Sequence, residues 1–175
     1  MIATGGVDAV ALRPLAAACG CTTSTIYSLF GNRDGLIQAV VQHVSESFGE
    51  SQHAVRRTAD PLTDLMGLGR AYRSWALENP AFYQVMFARV PKTDCEPIAP
   101  KQHPSIEPLM DAVARSVDTG VLGGGQPDQI TRSIWAGVHG WVALELIGAM
   151  PRGQRKSVTE YSRHLRSLLA AWRPD

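Results

Sequence analysis

Gly20 and Gly31 bracket the most constrained stretch of the chain, LAAACGCTTSTIYSLFGNRDGL, from Leu15 to Leu36. Leu12 to Ala18 reads as a short helix, with Pro14 in the first turn, where its missing N–H is not needed. Gly20 stops this helix. Thr22 or Thr23 caps a second one through Leu29, since a hydroxyl there accepts from the exposed backbone N–H groups. Gly31-Asn32 ends that piece in turn. Asp34 is placed to start a longer helix over about residues 35 to 55, with Leu36, Val40, His43 or Val44, and Ser47 along one side.

Any helical hairpin has two short helices and a glycine turn, so the interior positions decide what kind this is. Ala16 lies where the helices cross and a larger side chain would push them apart. Gly20 supplies the left-handed backbone, and Ile26 fills the wedge. Leu12, Leu15, Cys21 and Leu29 complete the inner face, which makes Cys19 and Cys21 small fillers beside a bend. They have no further Cys or His at zinc-like spacing, and Cys95 sits in a proline-rich loop, so no metal is expected. The outer face carries Thr22, Thr23, Ser24, Tyr27 and Ser28. These are short polar groups at the end of a helix that can enter a DNA major groove, or simply a solvated face.

Apolar residues recur three and four apart through the rest of the chain, and no segment alternates as a strand does. An all-α fold follows. Further helices are expected over 62–78, 81–89, 105–119, 128–149 and about 155–172, with the connection VPKTDCEPIAPKQHP, from Val90 to Pro104, between the second and third. The organisation reads as a helix-turn-helix module over 1–50 and a larger helical domain over 51–175. With 45% hydrophobic residues, a net charge of +1 and no run of about 18 apolar residues, the expectation is a folded, cytoplasmic protein that does not cross a membrane.

The stretch LRPLAAACGCTTSTIYSLFGNRDGLIQAVV resembles the DNA-binding signature of the TetR family of bacterial transcription regulators. The resemblance implies a homodimeric repressor that binds a pseudo-palindromic operator through the helix from Thr23 to Leu29, followed by a linking helix and an all-α ligand domain. It places the family's phosphate contacts on Tyr27 and Arg33 and its base-reading positions on Thr23, Ser24 and Ser28. Two departures stand out. Family members carry a helix before the one at Leu12, and MIATGGVDAVA, with two glycines, is not expected to form it, which makes the DNA-binding module N-terminally incomplete. Residues 1–50 also hold only Arg13 and Arg33 as cations against Asp8, Asp34, Glu46 and Glu50. Since DNA affinity leans on phosphate neutralisation, weak DNA binding is expected.

Downstream, RSIWAGVHGWVALELIGAM, from Arg132 to Met150, has Trp135, His139, Val142 and Leu146 on one stripe and Ile134, Val138, Trp141 and Glu145 on another, the pattern of a helix buried on both sides. Together with AYRSWALENPAFYQVMF it resembles the C-terminal domain of a TetR subgroup with a Trp-His-Gly signature. Tyr72, Trp75, Tyr83, Met86, Phe87 and Met110 have the spacing of core residues. In the resemblance they line a cavity with Trp135 and His139 and would hold an apolar or aromatic effector. His139 reads as a core histidine with one hydrogen bond or as a polar contact in that cavity; nothing at ligand or catalytic spacing accompanies it. Tyr161, Leu165, Leu168 and Trp172 form a stripe on the last helix, assigned to a dimer interface as in the family, with packing inside the chain as the alternative. A helical dimer that has lost DNA binding is the alternative function, and a small helical enzyme a more remote one. No cofactor motif is present.

Overall fold

A computed structural model describes residues 11–88, 104–150 and 155–174, and every regular element among them is helical. The helices are α1 (Leu12–Ala18), α2 (Thr23–Phe30), α3 (Arg33–His53), α4 (Pro61–Glu78), α5 (Pro80–Ala88), α6 (Glu107–Asp118, entered through a 3-10 turn at Pro104–Ile106), α7 (Pro127–Leu146) and α8 (Arg155–Ala170). The expectation about the missing first helix falls on residues 1–10, outside the described residues. Two compact units group residues 1–47 with 79–95, and 48–78 with 96–175. Residues 79–88, read with the larger domain, therefore cluster with the first unit, after the break that Asn79-Pro80 puts between α4 and α5.

In the first unit, Gly20 has φ +64° and Cys21 N donates to Ala16 O at 2.9 Å, which turns the chain sharply between α1 and α2. Ala16, Ile26 and Leu36 form a buried core, with Leu12, Leu15, Cys21, Phe30 and Val40 packed against it. Leu29 does not belong to that core: it is 70% exposed. Positions 29 and 30 flank the inward direction set by Ile26 on either side, and the larger Phe30 takes the interior. Cys19 is likewise exposed rather than a core filler. Asn32, not Asp34, opens α3, its Oδ1 accepting from Gly35 N at 2.8 Å.

In the second unit α4 is the central helix, packed against α6, α7 and α8; α6 also packs on α7, and α7 on α8. Leu65, Leu68, Val113, Ile134, Val142 and Leu165 are among its buried apolar residues. α7 ends at Leu146, earlier than its apolar pattern, with Gly148 at φ +81° in the turn that follows.

The stripe of α8 expected to face a second subunit is covered from within the chain. Tyr161 and Leu165 are 2% and 3% exposed. The Tyr161 hydroxyl donates to Gly69 O at 2.6 Å, and Leu165 sits so close over Gly69 that an added Cβ there would lie 2.7 Å from Leu165 Cδ2. Leu168 occupies the matching place over Gly137, and Trp172 Nε1 donates to Ser133 Oγ at 3.3 Å. Two glycines thus let α8 seat into α4 and α7, and that seat absorbs the stripe.

The same seat holds a buried charge. Glu145 is fully buried and accepts from Arg73 Nε at 2.7 Å, from Arg73 Nη2 and from Ser157 Oγ at 3.0 Å. The Arg73 guanidinium also lies 5.4 Å from the centroid of the Tyr161 ring. Removing one partner strands the other charge out of water. Glu145→Ala is expected to lower unfolding free energy by about 3–5 kcal/mol, and Arg73→Met with Glu145→Met to recover most of it. Urea denaturation at fixed protein concentration checks this; a double variant no better than the single one would show that the pair itself supplies the stability.

Candidate DNA-reading helix and effector site

The candidate reading helix, α2, is built on its cap. Thr22 Oγ1 accepts from Thr25 N at 3.1 Å and lies 3.0 Å from Thr25 Oγ1, which satisfies an N–H that the start of α2 would otherwise leave to water. Ile26 points inward, so Ser24, Tyr27 and Ser28 come out on the exposed side, Tyr27 at 51% exposure. Thr22 is exposed beside them and Thr23 is half-buried. Arg13 is exposed on α1, and Arg33 half-buried at the start of α3. The expected DNA-contact residues thus share one small unit. Thr25 and Leu29 lie outside the expected set, yet both are exposed on α2. The signal that could have found Leu29 is the competition with Phe30 for one interior place.

In the second unit the Tyr72 hydroxyl lies 3.0 Å from His139 Nδ1, joining α4 to α7. Phe48 sets its edge against both Tyr72 and Trp75, with ring centroids 5.1 Å apart in each case. Tyr72 and Trp75 are buried, whereas Met110, Trp135 and His139 are half-buried. Burial holds the His139 imidazole below its ordinary value of 6.5, so it is neutral at pH 7. When the phenol donates to Nδ1, the ring carries its proton on Nε2. Tyr83, Met86 and Phe87 belong to the first unit, where the Tyr83 and Phe87 rings lie 4.8 Å apart.

A polar cleft of about 320 Å³ also opens in the second unit, lined by Arg57, Asp64, Leu68, Glu107, Asp111 and Arg115 among others. Its buried carboxylate is already satisfied: Asp64 accepts from Thr58 N at 2.9 Å, Thr58 Oγ1 at 2.7 Å and Arg115 Nη2 at 2.6 Å. Burial pushes its pKa up, but the bonds from Arg115 and Thr58 together outweigh that and hold it below the usual carboxylate range. Arg115 reaches Asp111 and Thr58 O as well. The network ties the turn after α3 to α6, and its long-range partners, Asp64 and Arg115, lie too far apart in sequence to be paired by spacing. Among the described residues no group of three or more His, Cys, Asp or Glu is placed to hold a metal ion, and no helix is long and apolar enough to cross a membrane.

A capped helix presenting hydroxyls from a helix-turn-helix, followed by a helical bundle, is the arrangement of a helical DNA-binding regulator. Residues 65–168 match the family model of the tetracyclin repressor-like C-terminal domain, and residues 1–40 that of the bacterial regulatory proteins of the tetR family. The chain belongs to the TetR family, and it is a ligand-responsive DNA-binding transcriptional regulator. No curated protein matches it. Among solved structures it is similar to the regulatory protein SCO4313, at 28% identity and TM-score 0.71 over 97% of this chain and 89% of that one. It shares its fold with the TetR-family regulator PfmR from Thermus thermophilus, at 18% identity and TM-score 0.73 over 97% and 92% of the two chains. The same holds for a single-residue variant of TetR from Acinetobacter baumannii AYE in complex with minocycline, at 15% identity and TM-score 0.63 over 97% and 88%.

The burial of His139 has a measurable sign. Its neutral form stabilises the fold in full above the unfolded value near 6.5; as pH falls through that value the unfolded chain takes up a proton that the folded chain resists, and stability declines. Between pH 7 and pH 5 the wild-type chain is therefore expected to lose stability that His139→Gln retains. Denaturant titrations at the two pH values read the difference, and equal losses in both proteins would place the imidazole in a solvated setting.

Proposed function

We propose that the chain is a homodimeric repressor. Its two α2 helices read the half-sites of a pseudo-palindromic operator, and an apolar or aromatic effector bound in the second unit releases it. Ser24, Ser28 and Thr23 face base edges in this reading, while Tyr27, Arg13, Arg33 and Thr22 approach phosphate oxygens. The observation that carries the effector assignment is the Tyr72–His139 pair, a polar contact next to the aromatic edges of Phe48 and Trp75. Apolar walls with a few polar tips are the chemistry of small-molecule pockets. Trp135 and Met110, half-buried on α7 and α6 of the same unit, are assigned to the wall as well. That a TetR variant of this fold was solved with minocycline supports reading the helical unit as a ligand domain. The effector acts by favouring the arrangement of the dimer that does not fit the operator.

For the dimer the exposed side of α7 and α8 replaces the covered stripe. Leu144, Ile147 and Val158 are 43%, 76% and 50% exposed, and the Glu145–Ser157 hydrogen bond brings their neighbourhoods together. An apolar patch of this kind marks an interaction surface. Leu144→Glu with Val158→Glu is expected to yield a folded monomer by sedimentation, whereas Leu165→Glu should unfold the chain. Sedimentation of the first variant as an intact dimer would remove the assignment.

The function itself is tested with DNA. A duplex selected from a random pool by the wild-type chain should be released by a subset of apolar or aromatic compounds, with quenching of tryptophan fluorescence. Tyr72→Phe and His139→Ala should weaken that release about tenfold without altering DNA affinity, the worth of one polar contact to a buried ligand. If DNA is selected but no compound from a broad apolar library releases it, the effector reading fails. If both variants respond like wild type, the site lies elsewhere.

A further inference from the structure

The residues of α2 restrict how it can read a base. TSTIYSLF contains no Arg, Lys, Asn, Gln, Asp or Glu. The bidentate contacts that identify guanine and adenine, and the acidic acceptors that identify cytosine, need those side chains. What remains is a set of hydroxyls, each offering single hydrogen bonds, and apolar surface. Part of the hydroxyl set is already engaged, because Thr25 Oγ1 lies 3.0 Å from Thr22 Oγ1 in the cap. Held there, the Thr25 hydroxyl keeps part of its hydrogen-bonding capacity, and its γ-methyl adds apolar surface.

Leu29 supplies the rest of the apolar surface. It is more exposed than Tyr27, at 70% against 51%, although a leucine in a helix-turn-helix would ordinarily close the core. Four residues separate Thr25 from Leu29, so they lie one above the other on the helix. At about 100° per residue, Tyr27 and this Thr25–Leu29 strip border the exposed face from opposite sides, with Ser24 and Ser28 between them. The only base edge in the major groove with an apolar group is that of thymine, through its C5-methyl.

We propose that Leu29, with Thr25, is a specificity-determining residue that packs against thymine methyl groups, so that the half-site under α2 is selected for thymine. This rests on the reading of α2 as the helix that enters the groove. The inference differs from the family-derived assignment of base reading to Thr23, Ser24 and Ser28: hydroxyls bond to several bases, whereas methyl packing distinguishes one.

The test exchanges thymine for deoxyuridine, which removes the methyl and leaves every hydrogen-bonding group in place. An operator is first selected from a random duplex pool by the wild-type chain, then each thymine is replaced singly and symmetrically in both half-sites, and Kd is measured at one salt concentration. At one or two thymines per half-site the wild-type chain is expected to lose about fourfold in affinity for each methyl removed, the worth of one buried methyl. Leu29→Ala should be indifferent to those exchanges, and Leu29→Met, which keeps apolar bulk, should retain the sensitivity. Tyr27→Phe should bind more weakly and still retain it, because its contact is with phosphate. Leu29 is a surface residue, and unchanged circular dichroism of the variants confirms that α2 persists. No loss at any deoxyuridine, or the same loss in Leu29→Ala, overturns the proposal while leaving α2 as the DNA-reading helix. Failure of the wild-type chain to select any sequence overturns both.

Discussion

The paired charges of Arg73 and Glu145 are the constraint on which the second unit turns. A carboxylate with no exposed surface is tolerable only if its oxygens are saturated, and Arg73 and Ser157 do that from two different helices. The contact therefore holds the start of α8 at the end of α7, over α4. Once α8 is held there, Tyr161 and Leu165 have one place to go, over Gly69, where no side chain keeps the helices apart. Leu144, Ile147 and Val158 take no part in that seat and stay exposed, and it is on them that the proposed dimer is built.

Much of this is legible in the sequence, and the exceptions have physical causes. The cross-over at Ala16, the turn at Gly20 and the wedge of Ile26 follow from size and backbone freedom alone, and the structure contains all three. The helices fall near their expected positions because apolar spacing reports the buried face of a helix directly. Two departures share one origin: periodicity shows that a stripe is buried but not what buries it. Spacing leaves the α8 stripe open between a partner within the chain and a second subunit, and the family resemblance favours the second. Only the approach of Gly69 and Gly137, distant in sequence, reveals the partner. Leu29 reads as an inner residue because positions three and four after Ile26 are both apolar, and a short helix gives no further repeat to choose between them.

The candidate site is legible in part for the same reason. The Tyr72–His139 bond joins residues on α4 and α7 whose separation carries no local signal, so the sequence nominates both without pairing them. The same is true of Asp64 and Arg115. Single-residue chemistry is readable: a histidine with no carboxylate or second histidine nearby in sequence is poorly supplied for catalysis or metal binding. Its burial then adds that the ring is neutral, with one donor and one acceptor, rather than a cation.

The charge distribution bears on how such a regulator can be switched. Two arginines against four carboxylates in residues 1–50 give little phosphate neutralisation from that stretch, so its sequence-independent contribution to DNA affinity is expected to be small. A protein holding DNA largely by cations retains that hold whatever its reading helices do, and an effector must overcome it. In the proposed dimer the base contacts and the pairing of two chains take a larger share of the affinity, and both depend on the distance between reading helices. An allosteric coupling of the ordinary size, about 1–3 kcal/mol, weakens binding by the same factor of about 5–150 whatever the starting affinity, so it empties an operator most readily where that affinity is modest. The poverty of charge that argues against tight binding is, on this account, what would let a small apolar ligand empty the operator.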